Sequence, residues 1–348
     1  MNRQIQKFSF EFDYLIKVLS SFNPISIVLY GSYGRGEGAI YSNKKKDKLF
    51  NDIDVLLIVG KKIDTLKIEK IKDKLLKKID VEWIDITQKT QIELKRSNAS
   101  VFNYDLKYHS TILYGDMNIL SLIPTIKSEE IEYNEIKLLF FTRIWCFLGS
   151  YKRGGINDLE GYEAAFFKNQ MAKIIFAIID VILISNNKYV SSYHKKIETF
   201  KEFFLADYDY LKKYISYALE NKFSPSNKKI LASEIRSTLN DLASEFFKVF
   251  SSGLSLAYNK NINGPEQIVK SFKYDHRLLI KKWIFNLLVP SRKNEFNELI
   301  CRTYLVGSII NKDFFSEAIK YYKLIFKEEG KENPSFEDIR INMVKLIF

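Results

Sequence analysis

Apolar side chains along this chain fall into distinct periods, and each period predicts an element. Residues 5–22 carry them at helical spacing and stop before Asn23-Pro24, which predicts an opening helix. ISIVLY (25–30) and DIDVLLIV (52–59) are short and rich in β-branched residues, the pattern of strands; the second is closed by Gly60 and two lysines. IDTLKIEKIKDKLLKKI (63–79) returns to helical spacing, amphipathic and lysine-rich. DVEWIDIT (80–87) predicts a third strand with acidic residues interleaved, and DLKYHSTILYGD (105–116) a fourth strand or strand pair closing at Gly115. Strands alternating with a helix predict a compact α/β domain over residues 1–125.

Beyond Pro124 the period changes. From about residue 128 to the end the pattern is helical, in segments such as EIKLLFFTRIWCFLGSY, GYEAAFFKNQMAKIIFAIIDVILIS, DHRLLIKKWIFNLLVP and FFSEAIKYYKLIFKEEG. This predicts an all-helical C-terminal region, 126–348, with NKFSPSN (221–227) a break that splits it into two lobes. The fold class expected is α+β, and the Tyr and Phe stripes on the helices are expected to be core.

Composition adds three constraints. The 348 residues suffice for two or three domains, and 14 Gly against 6 Pro is sparse enough to favour long regular elements. The net charge of +12 suits phosphate-bearing partners, although Lys and Asn are frequent throughout. The two cysteines, Cys146 and Cys301, support neither a disulfide framework nor a zinc cluster, and His109, His194 and His276 show no metal spacing. The longest apolar run, IIFAIIDVILI (174–184), contains Asp180 and is too short to span a bilayer; MNRQIQKFSFEFDYL holds no signal-type core. No membrane partner and a cytoplasmic location are expected.

The chemistry concentrates in IVLYGSYGRGEGAIYSNKKKDKLFNDIDVLLIV, residues 27–59. A strand projects residues i and i+2 on one face, so Asp52 and Asp54 point together, roughly 7 Å apart. Two carboxylates facing one way repel unless a cation lies between them, and magnesium, a hard ion that takes carboxylates plus substrate phosphates, suits the pair; two ions would clamp both oxygens of a phosphoryl displacement. Gly31 lets the backbone approach a phosphate, Ser32 adds a hydroxyl donor, and Arg35 offers a bidentate fork. A phosphate cradle facing a metal-binding carboxylate pair is what nucleotidyl transfer requires.

These strings resemble the signature of the DNA polymerase β-like nucleotidyltransferase superfamily: an apolar residue, Gly, Gly or Ser, a spacer, then Asp-apolar-Asp. GSYGRGE…YS…DID is closest in flavour to bacterial small-molecule and protein nucleotidyltransferases, including antibiotic-modifying enzymes and the uridylyltransferase domain of nitrogen regulation. The resemblance covers residues 25–120; the tail matches only in being helical. It implies that Gly31 and Ser32 hold the triphosphate of an NTP co-substrate, that Asp52 and Asp54 hold Mg2+, and that a third carboxylate on the next strand completes the metal site. IDVEWIDIT offers Asp80 and Glu82 on one face and Asp85 on the other; Asp85, within an apolar stretch, is favoured, and the other two stay open. In such enzymes an adjacent helical domain covers the nucleotide, which makes Lys168 and Lys173 candidates for the triphosphate, Arg143 and Trp145 for the same surface, and Glu163 for a base.

The chain departs from the family in one place. NKKKDKLF (43–50) lengthens the spacer, and a tongue carrying Lys44, Lys45, Lys46 and Lys48 is placed to meet an acceptor or the nucleotide, or is a solvated hairpin tip. The implied activity is Mg-dependent transfer of an NMP from an NTP with release of pyrophosphate. The acceptor is an RNA end such as tRNA, favoured by the charge, or a small hydroxylated molecule. The alternatives are a protein-modifying or toxin-like nucleotidyltransferase, and an inactive module that binds nucleotide or RNA.

Overall fold

The computed structural model describes residues 3–43, 46–150, 155–273, 275, 295–326 and 333–345. Its elements are α1 (Arg3–Lys7), α2 (Ser9–Leu19), β1 (Ser26–Tyr30), the single turn α3 (Gly31–Gly34), β2 (Ile40–Ser42), β3 (Asp47–Leu49), β4 (Asp52–Val59), α4 (Thr65–Leu76), β5 (Trp83–Thr90), α5 (Gln91–Lys95), α6 (Val101–Tyr108) and β6 (Thr111–Gly115). Helices follow: α7 (Glu135–Gly149), α8 (Gly161–Ser185), α9 (Tyr193–Phe203), α10 (Lys212–Phe223), α11 (Ala232–Tyr258), α12 (Gly264–Lys273), α13 (Glu295–Ile310), α14 (Asp313–Ile325) and α15 (Phe336–Lys345). The class is mixed α and β, with a small sheet and many helices. Among the described residues no helix is long and apolar enough to cross a membrane.

The chain divides into two compact units, Met1–Glu132 with Asn186–Ser226, and Tyr133–Ser185 with Asn227–Phe348. Residues 186–226 therefore return to the sheet-bearing unit from beyond the boundary that the sequence pattern suggests at 125. They leave it inside the NKFSPSN break.

In the first unit the sheet order is β5-β4-β1-β6, with β1 antiparallel to β4 and β6, and β4 parallel to β5. DIDVLLIV reads as a continuous apolar run because β4 is a central strand buried on both faces. Val55, Leu57 and Val59 join Ile27, Leu29 and Ile84 under Phe12, Leu15 and Leu19 of α2 and Leu75 of α4. Leu56 and Ile58 join Val28 on the other face, under Leu94 of α5, Leu106 of α6, and Ile119, Ile123 and Ile126. Asp52 and Asp54 share parity with Leu56 and Ile58, so they lie on the α5–α6 face, at the end of the strand where the buried run has not yet begun.

Two predicted boundaries shift. Within 105–116 the first four residues are the last turn of α6, and only Thr111–Gly115 is strand. The helix wins locally because the Ser100 hydroxyl accepts the Asn103 N–H at 3.2 Å and caps its start. The third strand begins at Trp83 rather than Asp80: the Glu82 and Trp83 N–H groups both donate to the Asn51 carbonyl, at 3.0 and 3.2 Å, and 80–82 belong to the entry turn.

The second unit is helical in its described residues. The middle and C-terminal part of α8, buried on nearly all sides and carrying the buried polar residues Asn169, Gln170 and Asp180 among its apolar ones, runs through its core, and the aromatic stripes are buried as expected: Phe140, Phe147, Phe246 and Phe250 form one ring cluster, with Phe246 and Phe250 centroids 4.2 Å apart. Of DHRLLIKKWIFNLLVP only Asp275 is described; the rest of that segment, His276 included, lies outside the described residues.

Candidate functional site

The registers of β4 against β5 and β1 put the sequence motifs side by side. Asp54 is the Cα partner of Asp85 across the parallel pair and of Tyr30 across the antiparallel one, while Asp52 is level with Trp83. Asp52, Asp54 and Asp85 therefore share one sheet face at the starts of two neighbouring strands, which stand about 4.8 Å apart. Asp85 is exposed and the other two are half-buried. The chain reaches Asp52 through Asn51, which is buried, left-handed (φ 75°), and whose side-chain amide donates to the Asp52 carboxylate.

Gly31 closes on the same place. It leaves β1 at φ +64°, a conformation that costs a non-glycine residue about 1–2 kcal/mol. A Cβ there would overlap Oδ2 of Asp54 and stand 3.0 Å from its Cγ. The glycine thus lets the turn sit against the carboxylate of the neighbouring strand. Ser32 follows it, largely buried, and its carbonyl accepts the Glu37 N–H at 2.8 Å, fixing the turn.

Beside Asp54, level with it on β1, lies Tyr30. Its ring meets Phe102 of α6 edge-on at 5.3 Å, and Lys89 of β5 stands 5.0 Å over the same Phe102. Burial first, then the charge of Asp54, push the Tyr30 hydroxyl well above the usual phenol range; Asp85 and Asp52 add to this and the Thr87 hydroxyl opposes it. Tyr30 stays protonated, a neutral neighbour of the acids.

Arg35, expected to grip a phosphate, is committed elsewhere. Its Nε donates to Glu37 at 3.1 Å and its NH1 to Asp105 of α6 at 3.2 Å, its side chain is 7% exposed, and its guanidinium stacks 4.9 Å from the Tyr193 ring. The same two carboxylates hold the returning segment. Asp105 accepts from the Tyr189 hydroxyl at 3.0 Å and from the Ser191 hydroxyl; Glu37 accepts from the Ser192 hydroxyl at 2.6 Å and from the Tyr193 N–H at 3.1 Å. GRGE is thus half turn and half staple. A buried arginine between two acids is an internal partner, and withdrawing it for a ligand would strand both carboxylates.

The other candidates separate. Asp80 pairs with Lys48 at 2.9 Å and is two-thirds exposed, and Glu82 is exposed in the entry turn, so neither is in β5 beside Asp54. The tongue is the antiparallel ribbon β2–β3, rooted by the Tyr33 hydroxyl, which accepts from the Phe50 N–H at 2.7 Å and donates to the Ala39 carbonyl at 2.6 Å, and by Lys7–Asp47 at 2.5 Å. Lys46 is exposed; Lys44 and Lys45 lie outside the described residues. Lys168 and Lys173 sit on α8 of the second unit, where Lys168 donates to the Lys228 carbonyl at 2.9 Å; Glu163 is on the same helix, and Arg143 and Trp145 are on α7. Asn51, Tyr30, Glu37 and Asp105 escaped the sequence reading. The asparagine before the Asp-x-Asp pair, a residue tolerant of left-handed backbone, is the one legible signal among them.

Carboxylates at a backbone cradle are the hard donors a magnesium ion takes, and the Gly31 approach to Asp54 fits that chemistry. As the side chains stand, however, no three Asp, Glu, His or Cys residues among the described ones are gathered closely enough to hold an ion. The donor types fit; the carboxylates stand side by side on one sheet face rather than as a closed ligand set. Comparison with protein-family models, with curated proteins and with solved structures gives no match for this chain.

Proposed function

We propose that the protein is a Mg-dependent nucleotidyltransferase that moves an NMP from an NTP to an acceptor hydroxyl. The observation that carries this reading is the meeting of Gly31, in a left-handed turn, with Asp54, itself in register with Asp85. Asp52, Asp54 and Asp85 are assigned the metal, and Gly31 and Ser32 the phosphates; Arg35 is withdrawn from that role. The bound ion would supply neutralisation of phosphate charge and polarisation of the α-phosphorus. An acceptor oxygen attacks that phosphorus, the bond to the bridging oxygen breaks, pyrophosphate leaves, and the hydroxyl proton passes to solvent. What the chain's own residues contribute is position and a fixed field, with Tyr30 a neutral neighbour of Asp54.

The test is incubation with each labelled NTP, Mg2+ and a cell extract. Label in a nuclease-sensitive, protease-sensitive or low-mass fraction identifies an RNA, a protein or a metabolite acceptor. No label anywhere, with Asp54→Asn indistinguishable from the wild type, would sink the reading. A second reading, nucleotide or RNA binding without turnover, draws on the acids among the described residues not being gathered in threes. It requires NTP binding that is unaffected by Mg2+.

A further inference from the structure

We infer that the exposed face of α4 is a docking track for RNA, which leads its end toward the carboxylates of β4 and β5. For the place where the RNA end arrives this rests on the nucleotidyl-transfer reading; for the binding itself it does not.

Lys67, Lys70, Lys74 and Lys77 are exposed and recur at intervals of three or four residues over α4 and its C-cap. At about 100° per residue they fall within an arc of roughly 80°, about 15 Å long, beside the stripe of Ile68, Ile71 and Leu75 that packs on the sheet. Among the described residues none of the four is in an ion pair, whereas Lys72, off this arc, pairs with Glu69 at 3.2 Å. Helix stability accounts for only part of this arrangement: Lys74 in the last turn and Lys77 at the C-cap suit the helix dipole, and Asp73 is four residues before Lys77, but the remaining terms are unfavourable. Lys67 lies in the first turn, where the helix dipole disfavours a cation, and that turn holds no acid. Each consecutive pair along the track is a like-charge neighbour on the helix surface, which is unfavourable. A row of phosphates reverses the unfavourable terms, and a net charge of +12 adds attraction at longer range.

Topology gives the track its direction. Because β4 and β5 are parallel, the helix between them runs back along the sheet. The Lys77 end of α4 therefore lies at the end of the sheet where Asp52, Asp54 and Asp85 stand. The tongue is tied to the same corner, since Lys48 pairs with Asp80 at 2.9 Å, just after the helix ends. The track and the carboxylates occupy opposite faces of the sheet, so a strand leaving Lys77 reaches the acids around the sheet's rim.

The experiment measures binding of a labelled bulk tRNA fraction between 50 and 200 mM salt, with no NTP present, in an Asp54→Asn background. The variant K67Q/K70Q/K74Q/K77Q keeps four good helix formers. Its slope of log K against log salt is expected to fall in magnitude by about 3, with affinity at 100 mM salt down by tenfold or more. A control variant, K260Q/K312Q/K320Q/K323Q, removes the same charge from exposed positions of the second unit and is expected to change affinity by less than threefold. Wild-type affinity and slope in the α4 variant would overturn the track and leave the transfer reading standing. An equal loss in the control would overturn it too, by showing bulk charge alone. Loss of binding to phosphatidylserine vesicles with RNA binding intact would assign the lysines to a membrane surface and overturn it. Loss of tRNA affinity in the α4 variant, with no acceptor labelled by the wild type, keeps the track and removes the transfer reading.

Discussion

Gly31, in the turn that follows β1, and Asp54, on β4, lie on different elements, yet neither can be understood without the other. A methyl group on residue 31 would both strain a left-handed backbone and take the space of the Asp54 carboxylate. Gly31→Ala is expected to lower activity on the order of 10²-fold or more, at a cost of about 1–2 kcal/mol of stability; wild-type turnover would show that the close approach is incidental. Asp85 and Asp80 separate by the same logic. Asp85 is in register with Asp54, while Asp80 is bound to Lys48 in a solvated pair worth little. Asp85→Asn is expected to cost on the order of 10²-fold in Mg-dependent turnover, and Asp80→Asn less than threefold. Equal losses in the two would remove Asp85 from the site.

The same reasoning at the scale of elements explains why GRGE looks like a phosphate loop and also acts as a staple. α3 turns the chain so that Arg35 points to α6, and the charges there secure the 189–193 stretch that leads into α9. Removing the arginine leaves two acids without their buried partner, a loss of about 3–5 kcal/mol. For a unit of this size Arg35→Met should lower the melting temperature by roughly 10 °C, with NTP affinity in the surviving folded protein unchanged. Weakened NTP binding with an unchanged melting temperature would restore the arginine to the phosphate. His109, at the end of α6, adds a pH term. Burial first lowers its pKa below the ordinary 6.5, with Arg35 and Lys195 adding and Asp105 opposing. The unfolded chain then binds more protons than the folded one just below pH 6.5. Stability is therefore expected to drop as pH falls through 6.5 toward the folded-state value, where the loss levels off. Urea unfolding of His109→Gln between pH 5 and 7.5 should show a flatter profile than the wild type.

For the molecule as a whole, the consequence is that the sheet unit is not contiguous in sequence. It draws on 186–226 as well as on the first 132 residues. A fragment ending at residue 132 would leave Arg35, Glu37 and Asp105 without the hydroxyls and backbone donor of Tyr189, Ser191, Ser192 and Tyr193. It is expected to lack a cooperative unfolding transition, while the full chain shows one for this unit. A sharp urea transition in the short fragment would show that the returning segment is dispensable.

What the sequence determined by itself is local. Period and β-branching mark β1, β4, α4 and most of the tail helices, because a strand or helix must face its own core with the right repeat. Asp-x-Asp places two acids on one face for the same reason. Tertiary structure decided the rest. It chose Asp85 as Asp54's neighbour through strand register, a relation between segments thirty residues apart that no local period encodes. It turned 105–108 into helix, through a serine cap outside the strand-like window. And it drew Arg35 away from solvent, because the acids that claim it stand two residues and seventy residues away, and the hydroxyls that complete the network come from beyond 185. Charge pairing at long sequence distance depends on the fold already being made, and it decided which of the motif's side chains remained beside the carboxylates.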